Sequence, residues 1–312
     1  MNNDVKKQIS EALREYAKEK SLSQDQLAQI TGLNISYINA VLSGDLKVGK
    51  TNIKEAYLKT IADLVGVNTE KEYVPHVDTV QYDQIYSELL DAKVSGRVKI
   101  IISRTGFGKT YTVNQFQKKH PGQTYKITLN SLYKLPDILD DLCSIFNVDM
   151  TRSFGHPSRL REISRKLKIK KDNGGTPTII FDEAENAKAS TLRMLKAFYD
   201  EAHQYCSIVL IGTPQLITKL DRLRKNDVEG MSQFYRRFKA GIREFTDIDK
   251  DKHFDPFLVD IEDENLRELL KTLSDNYGEL TDYIGHALKE ADRMGLPLTE
   301  QLFRNLFGLN RD

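Results

Sequence analysis

The sequence predicts an α/β fold: a mostly parallel five-stranded sheet with helices on both faces, joined to an all-α N-terminal domain and a helical C-terminal segment. Three observations predict it. Five strand candidates, residues 97–103, 123–129, 178–182, 207–212 and 242–246, alternate with helical stretches. Strands separated by whole helices need crossover connections, which set neighbouring strands parallel and bury both faces of the sheet. Residues 1–66 and 248–312 show helical periodicity without strand-like alternation.

Residues 1–66 read as a helix-turn-helix domain. A helix cap at Ser23 opens a stretch that sets Leu27 and Ile30 on one face. Thr31-Gly32-Leu33 makes a tight turn, and Asn34 caps a second helix carrying Ile35, Ile38, Val41 and Leu42. A further helix over 56–65 carries Leu58, Ile61 and Leu64. Residues 67–79 are polar, contain Pro75 and read as a linker. The alternating region spans 80–247. The segment 248–312 holds helices over 264–277, 280–294 and 299–306, with Gly, Pro or Asp at each break.

Composition narrows the function classes. Apolar residues make up 39% and charged residues 29%, an ordinary globular balance. The net charge is only +1, so affinity for nucleic acid has to come from local patches. Cys143 and Cys206 lie far apart with no CxxC or Cys/His pattern, which points to reduced, buried thiols and away from zinc. The first residues are polar and amphipathic, unlike a signal peptide, and no apolar run reaches membrane-spanning length. A cytoplasmic location without a membrane partner is expected.

The first central strand runs straight into Ser103-Arg104-Thr105-Gly106-Phe107-Gly108-Lys109-Thr110, and a helix follows. This is the phosphate-loop pattern GxxxxGK[ST] with Ser103 in place of the first glycine. Gly106 and Gly108 let backbone amides curl around phosphate oxygens. Lys109 reaches the β- and γ-phosphates, Thr110 offers its hydroxyl to magnesium, and the helix N-terminus adds its dipole. A bare Gly-Lys-Thr is most often a chance loop. Here strand, loop and helix come in the required order, which points to a nucleotide.

The run Thr178-Ile179-Ile180-Phe181-Asp182-Glu183 is an apolar strand ending in two carboxylates. Ligand chemistry in parallel sheets gathers at the carboxyl ends of strands. Asp182 is therefore expected to face a magnesium shell, and Glu183 to orient the attacking water. The competing reading is a strand leaving for solvent through acids. Thr213 ends the next strand, either as a turn residue before Pro214 or as a hydrogen-bond partner of the γ-phosphate. Arg236 and Arg237 precede the fifth strand, either as a solvated pair or with one reaching a nucleotide held by a neighbouring subunit. Arg237 is favoured for that role.

Together these residues resemble the AAA+ ATPases. SRTGFGKT matches the first nucleotide motif, TIIFDEAEN the second, VLIGTPQL the first sensor and QFYRRF the arginine-finger segment. More narrowly, the chain resembles the B transposition protein of phage Mu and related transposon target-selection ATPases. The points of likeness are the small helix-turn-helix, the linker ending in VDTV, the FDEAEN box and the compact helical tail.

The resemblance implies ATP and Mg2+ as ligands and residues 248–312 as a lid. It implies a homo-oligomer, filament or ring, on double-stranded DNA, and delivery of that DNA to a transposase in a bacterial or phage-infected cell. It assigns the nucleotide to the loop Ser103, Arg104, Thr105, Gly106, Phe107, Gly108, Lys109 and Thr110, with Val77 and Val80 near the adenine. Thr110 and Asp182 take the metal; Glu183, Thr213 and Arg237 take the catalytic roles. Relatives often carry an arginine early in the lid helix, where this chain has Thr281 after Gly278-Glu279-Leu280. Slow intrinsic hydrolysis, stimulated by DNA and transposase, is expected.

Two stretches are candidates for DNA. The helix over 34–42 resembles a repressor-type recognition helix, with Asn34, Ser36, Tyr37 and Asn39 as exposed contacts and Lys47 near phosphate. Docking of protein competes on equal terms. Residues 152–171 carry Arg152, Arg159, Arg161, Arg165 and Lys168 among eight basic residues with almost no acids. This is either a solvated helix or a phosphate-binding face. Lys188, Arg193 and Lys196 are further candidates to line a channel. The leading reading is an ATP-dependent, largely sequence-nonspecific DNA-binding protein that activates a transposase. A helicase-loader-type ATPase and a nucleotide-sensing helix-turn-helix transcription regulator are the alternatives.

Overall fold

The computed structural model describes residues 3–20, 22–67, 73–149, 155–245 and 247–309. It divides into two compact units, Met1–Tyr73 and Val74–Asp312. In the first unit α1 (Asn3–Lys20), α2 (Gln24–Thr31), α3 (Ile35–Ser43) and α4 (Glu55–Val65) bury Ile9, Leu13, Leu27, Ile38, Val41, Leu58 and Ile61. The expected start of α2 is a full capping box. Ser23 Oγ accepts the Gln26 amide at 3.3 Å, and Gln26 Oε1 accepts the Ser23 amide at 2.8 Å. Gly32 ends that helix at φ 68°, and Asn34 Oδ1 accepts the Ser36 amide at 3.0 Å to open α3. One expectation fails here. Residues 1–66 do contain strands, β1 (Lys47–Val48) and β2 (Thr51–Asn52), paired antiparallel. Two-residue strands carry no alternation to read.

The second unit runs α5 (Val80–Ser95), β3 (Lys99–Ser103), α6 (Lys109–Lys119), β4 (Thr124–Thr128), α7 (Leu135–Ile145), α8 (His156–Asp172), β5 (Thr178–Asp182), α9 (Ala189–Ala202), β6 (Ser207–Gly212), α10 (Pro214–Lys225), α11 (Met231–Phe238) and β7 (Ile242–Phe245). The sheet order is β4-β5-β6-β3-β7 with every neighbouring pair parallel. Its strands alternate between two cores. Ile100, Ile102, Ile179, Phe181, Ile208 and Leu210 pack with Leu139, Leu142, Ile163 and Phe198. Ile101, Ile180, Val209 and Ile211 pack on the other face with Ile85, Leu89, Val113 and Phe116. Both faces are covered, so β3, β5 and β6 are buried throughout and read as continuous apolar runs.

The helical segment comprises α12 (Lys250–His253), α13 (Asp255–Leu258), α14 (Glu264–Leu273), α15 (Tyr277–Met294) and α16 (Glu300–Phe307), closed around Phe254, Leu266, Leu270, Leu280, Ile284 and Phe303. The helix expected over 264–277 stops at Leu273 because a new cap intervenes. Asn276 Oδ1 accepts the Glu279 amide at 3.0 Å, and Glu279 Oε2 accepts the Asp275 amide at 2.7 Å. The end expected for the fifth strand, Thr246, lies outside the described residues.

Candidate nucleotide-binding site

The strand order fixes the site. β6 lies between β3 and β5 and all three run parallel, so the loop after β3, the acids ending β5 and Thr213 after β6 meet at the carboxyl ends of the central strands. They line a cavity of about 420 Å³ with Thr105, Gly106, Gly108, Lys109, Thr110, Asp182, Glu183, Glu185 and Thr213 on its floor. The rest of the lining is Val74, Pro75, Val77, Thr79, Tyr82, Tyr111, Phe257, Tyr277, Gly278 and Thr281. One side is polar and charged, the other apolar and aromatic, which suits a ligand with phosphate at one end and a flat base at the other.

Lys109 is almost wholly buried. Its ammonium donates to the Ser103 carbonyl at 2.9 Å and the Arg104 carbonyl at 2.7 Å. Burial lowers its pKa, and the facing carboxylates of Glu185, Asp182 and Glu183 act in the opposite direction. Thr110 Oγ1 donates to Asp182 Oδ2 at 2.9 Å. Asp182 is fully buried, and its Oδ1 accepts the Glu183 amide at 3.0 Å. Glu183 takes a left-handed φ of 54°, which turns its carboxylate away from the strand direction and toward Asn186 Nδ2, 3.2 Å away. Asn186 also donates to the Leu129 carbonyl at 3.1 Å. The Thr213 amide donates to Glu185 Oε2 at 3.2 Å, while the Thr213 hydroxyl is buried and unpaired among the described residues.

Two glycines keep these parts close. A Cβ on Gly106 would lie 1.9 Å from Asn276 Oδ1, and the Gly278 amide donates to the Gly106 carbonyl at 2.9 Å. The loop and the start of α15 are thus in direct contact. A Cβ on Gly212 would lie 2.6 Å from Glu185 Oε2. Beyond the loop, the buried Tyr277 hydroxyl donates to Gln81 Oε1, and Gln81 Nε2 donates to the Asp247 carbonyl at 2.5 Å. Burial pushes the Tyr277 phenol up to about 12, so it remains a donor across working pH. His76 contacts the Tyr111 hydroxyl at 2.7 Å and Asp78 at 2.8 Å beside the ring of Tyr82.

A nucleotide and a magnesium ion fit these donors. The amides at the start of α6, two left-handed glycines and a buried ammonium suit phosphate oxygens. Thr213 lines the cavity, and its buried hydroxyl is an orphaned polar atom among the described residues. Thr110 and Asp182 are hard oxygen donors in contact. Among the described residues no group of three or more His, Cys, Asp or Glu is placed to hold a metal ion.

Several expected residues stand elsewhere. Val80 begins α5, half exposed, and is not among the lining; Val74, Pro75 and Thr79 accompany Val77 instead, because Thr79 caps α5 and points the chain away after it. The Ser103 hydroxyl is buried without a partner among the described residues and Ser103 is not among the lining, the Arg104 side chain is exposed, and Phe107 is buried edge-on against Tyr277. Arg237 does not project freely. Its Nε and Nη2 bind Asp200 at 2.6 and 3.1 Å, and Nη1 donates to the Gln233 carbonyl at 3.2 Å. Arg236 beside it is exposed and has no hydrogen bond or ion pair among the described residues.

In α3, Tyr37 is half-buried against Tyr57 with ring centroids 4.8 Å apart, which corrects its expected exposure. The Asn34 and Ser36 side chains bond to each other at 2.9 Å, while Asn39 and Lys47 are exposed. In α8, Arg159 pairs with Asp140 and Arg165 is bidentate on Glu162, so the few acids neutralise more of this stretch than its sequence suggested. Arg152 lies outside the described residues. Arg161, Arg193 and Lys196 converge on a second cleft of about 520 Å³, near Asp200 and Glu201, and Lys168 and Lys188 are exposed. Both cysteines are free and buried, as expected. Among the described residues no helix is long and apolar enough to cross a membrane.

Sequence reasoning missed Glu185, Lys126, Asn276 and the aromatic wall. Glu185 was visible as the third acid of DEAE. The others come from separate segments brought together only by folding.

Residues 92–220 match the AAA domain family. The chain is 26% identical over 246 residues to the Mu-like prophage FluMu DNA transposition protein B of Haemophilus influenzae, covering 78% of this chain and 80% of that one. The chain is similar to an AAA domain over that segment and to transposition protein B over most of its length. Two solved structures share the fold. The ORC2 protein of Aeropyrum pernix, solved as ADPNP–ADP complexes, superposes with a TM-score of 0.55 at 17% identity over 78% of this chain and 71% of its own. Cdc6p of Pyrobaculum aerophilum gives 0.54 at 15% identity over 73% and 66%.

Proposed function

We propose that this chain is an ATPase that assembles on double-stranded DNA, with little sequence preference, and presents that DNA to a transposase. The observation that carries the reading is the meeting of Lys109, the Thr110–Asp182 pair, Glu183 and Thr213 at the carboxyl ends of the central strands, in a chain resembling transposition protein B. Lys109 and the loop amides bind the β- and γ-phosphates of ATP. Bound Mg2+ supplies the positive charge that offsets the phosphate oxygens, held through Thr110 and Asp182. Glu183, steadied by Asn186, orients the attacking water, and the Thr213 hydroxyl bonds the γ-phosphate side of the cleft. Thr281 lines the cavity where an arginine would add charge, so turnover is slow without partners.

Arg237 acts on the nucleotide of an adjoining subunit after exchanging Asp200 for it. Arg161, Arg193 and Lys196 offer phosphate contacts on duplex DNA, and Asn39 and Lys47 extend them from the N-terminal unit. These are backbone contacts, which confer affinity without reading sequence. Electron microscopy of the protein with random-sequence duplex and a slowly hydrolysed ATP analogue tests the proposal. Ordered rings or filaments are expected, absent with ADP. Isolated monomers under both conditions contradict it.

A further inference from the structure

Lys126 lies on edge strand β4, on the face turned toward α6 rather than toward the core that takes Tyr125 and Ile127. Its ammonium is 3.3 Å from Asp182 Oδ2 and donates to Asn114 Oδ1 at 3.0 Å. Asn114 stands one helical turn after Thr110 in α6, and Thr110 donates to that same Asp182 oxygen. The Lys126 side chain is 14% exposed and Asp182 is 0% exposed. A buried carboxylate needs a compensating charge. In this site that charge is built into the chain, on the oxygen that also faces the proposed metal position.

We propose that Lys126 is a resident counter-cation of the nucleotide site, so that its hold on a triphosphate depends less on Mg2+ than Asp182 alone would dictate. The inference rests on the cleft being a nucleotide site. With Lys126 in place, Asp182 presents little net negative charge to the phosphates, and binding without a divalent ion is tolerated. With Lys126 neutralised, the uncompensated carboxylate repels phosphate in the absence of metal and attracts the divalent ion more strongly in its presence. The two effects act in the same direction on one quantity, the ratio of nucleotide dissociation constants without and with Mg2+.

The test is titration of the full chain with a fluorescent ATP analogue, once in Mg2+ and once in EDTA. Wild type is compared with Lys126→Met and Lys126→Arg, with circular dichroism as the check on folding. The ratio is expected to rise about tenfold or more in Lys126→Met. Lys126→Arg, which restores the charge, should return to within about threefold of wild type. If Lys126→Met does not fold, Lys126→Gln retains a polar group for Asn114 and carries the same expectation. A purely structural lysine would weaken binding equally in both conditions, and an unchanged ratio overturns the proposal. Wild type that fails to bind nucleotide even in Mg2+ overturns the nucleotide reading beneath it, a result distinct from an unchanged ratio.

Discussion

Lys109 is a buried cation held by two loop carbonyls and faced by three carboxylates. That arrangement is stable only because the loop curls around it, and the curl depends on Gly106. An alanine there takes a left-handed backbone at a cost of about 1–2 kcal/mol, and its methyl collides with the Asn276 side chain. Gly106→Ala is therefore expected to lower the melting temperature of the second unit and to weaken nucleotide binding together, measured by calorimetry and by titration. A variant that melts normally and binds nucleotide normally would contradict the contact between the loop and the start of α15. The loop and the acidic pair were legible in the sequence because their spacing is local: eight consecutive residues, and two acids ending a strand. Lys126 and Asn276 were not legible, since nothing in their neighbourhoods announces partners 56 and 170 positions away at Asp182 and Gly106.

At the scale of elements, α11 carries both an apolar anchor and an arginine in reserve. Phe234 and Phe238 stack at 4.1 Å in the core, which fixes the helix against α9 and brings Arg237 onto Asp200. Phe234→Ala should cost about 3–5 kcal/mol of stability by chemical denaturation, the usual loss for a buried phenylalanine. A loss below about 1 kcal/mol would show that the helix is not anchored there. Asp200→Asn removes the charge that holds Arg237 without removing its volume. Hydrolysis by the DNA-bound assembly should then rise several-fold, while hydrolysis by the dilute, DNA-free chain stays as it was. An increase in both, or in neither, would contradict a role for Arg237 across a subunit boundary. The central strands β3, β5 and β6 were legible as largely apolar runs because the sheet is covered on both faces there. Helix ends were less so: the cap at Asn276 divides what reads as one periodic run, and the pairing of β1 with β2 is too short to leave a pattern.

For the whole molecule, a net charge of +1 leaves DNA affinity to local groups. Arg161, Arg193 and Lys196 share one cleft; Arg193 pairs with Glu229 at 3.4 Å and Lys196 with Asp200 at 3.5 Å, contacts that duplex phosphate has to displace, as it would those of Arg159 and Arg165 with their acids. Three contacts per subunit give a slope of log affinity against log salt of roughly −3. Arg193→Ala should reduce that slope by about one and weaken all duplex sequences alike. A salt-independent affinity, or a loss confined to one sequence, would place the DNA elsewhere.

The account joins two sites through one nucleotide, so its most direct test is duplex affinity measured under nucleotide control. Fluorescence anisotropy of a random-sequence duplex with wild type and with Lys109→Ala, each in ATP analogue with Mg2+ and in ADP, reads both at once. Tight binding by wild type with the analogue alone, with a loss of about a hundredfold or more in Lys109→Ala, is the expected result. Equal affinity for DNA in all four conditions would contradict the account.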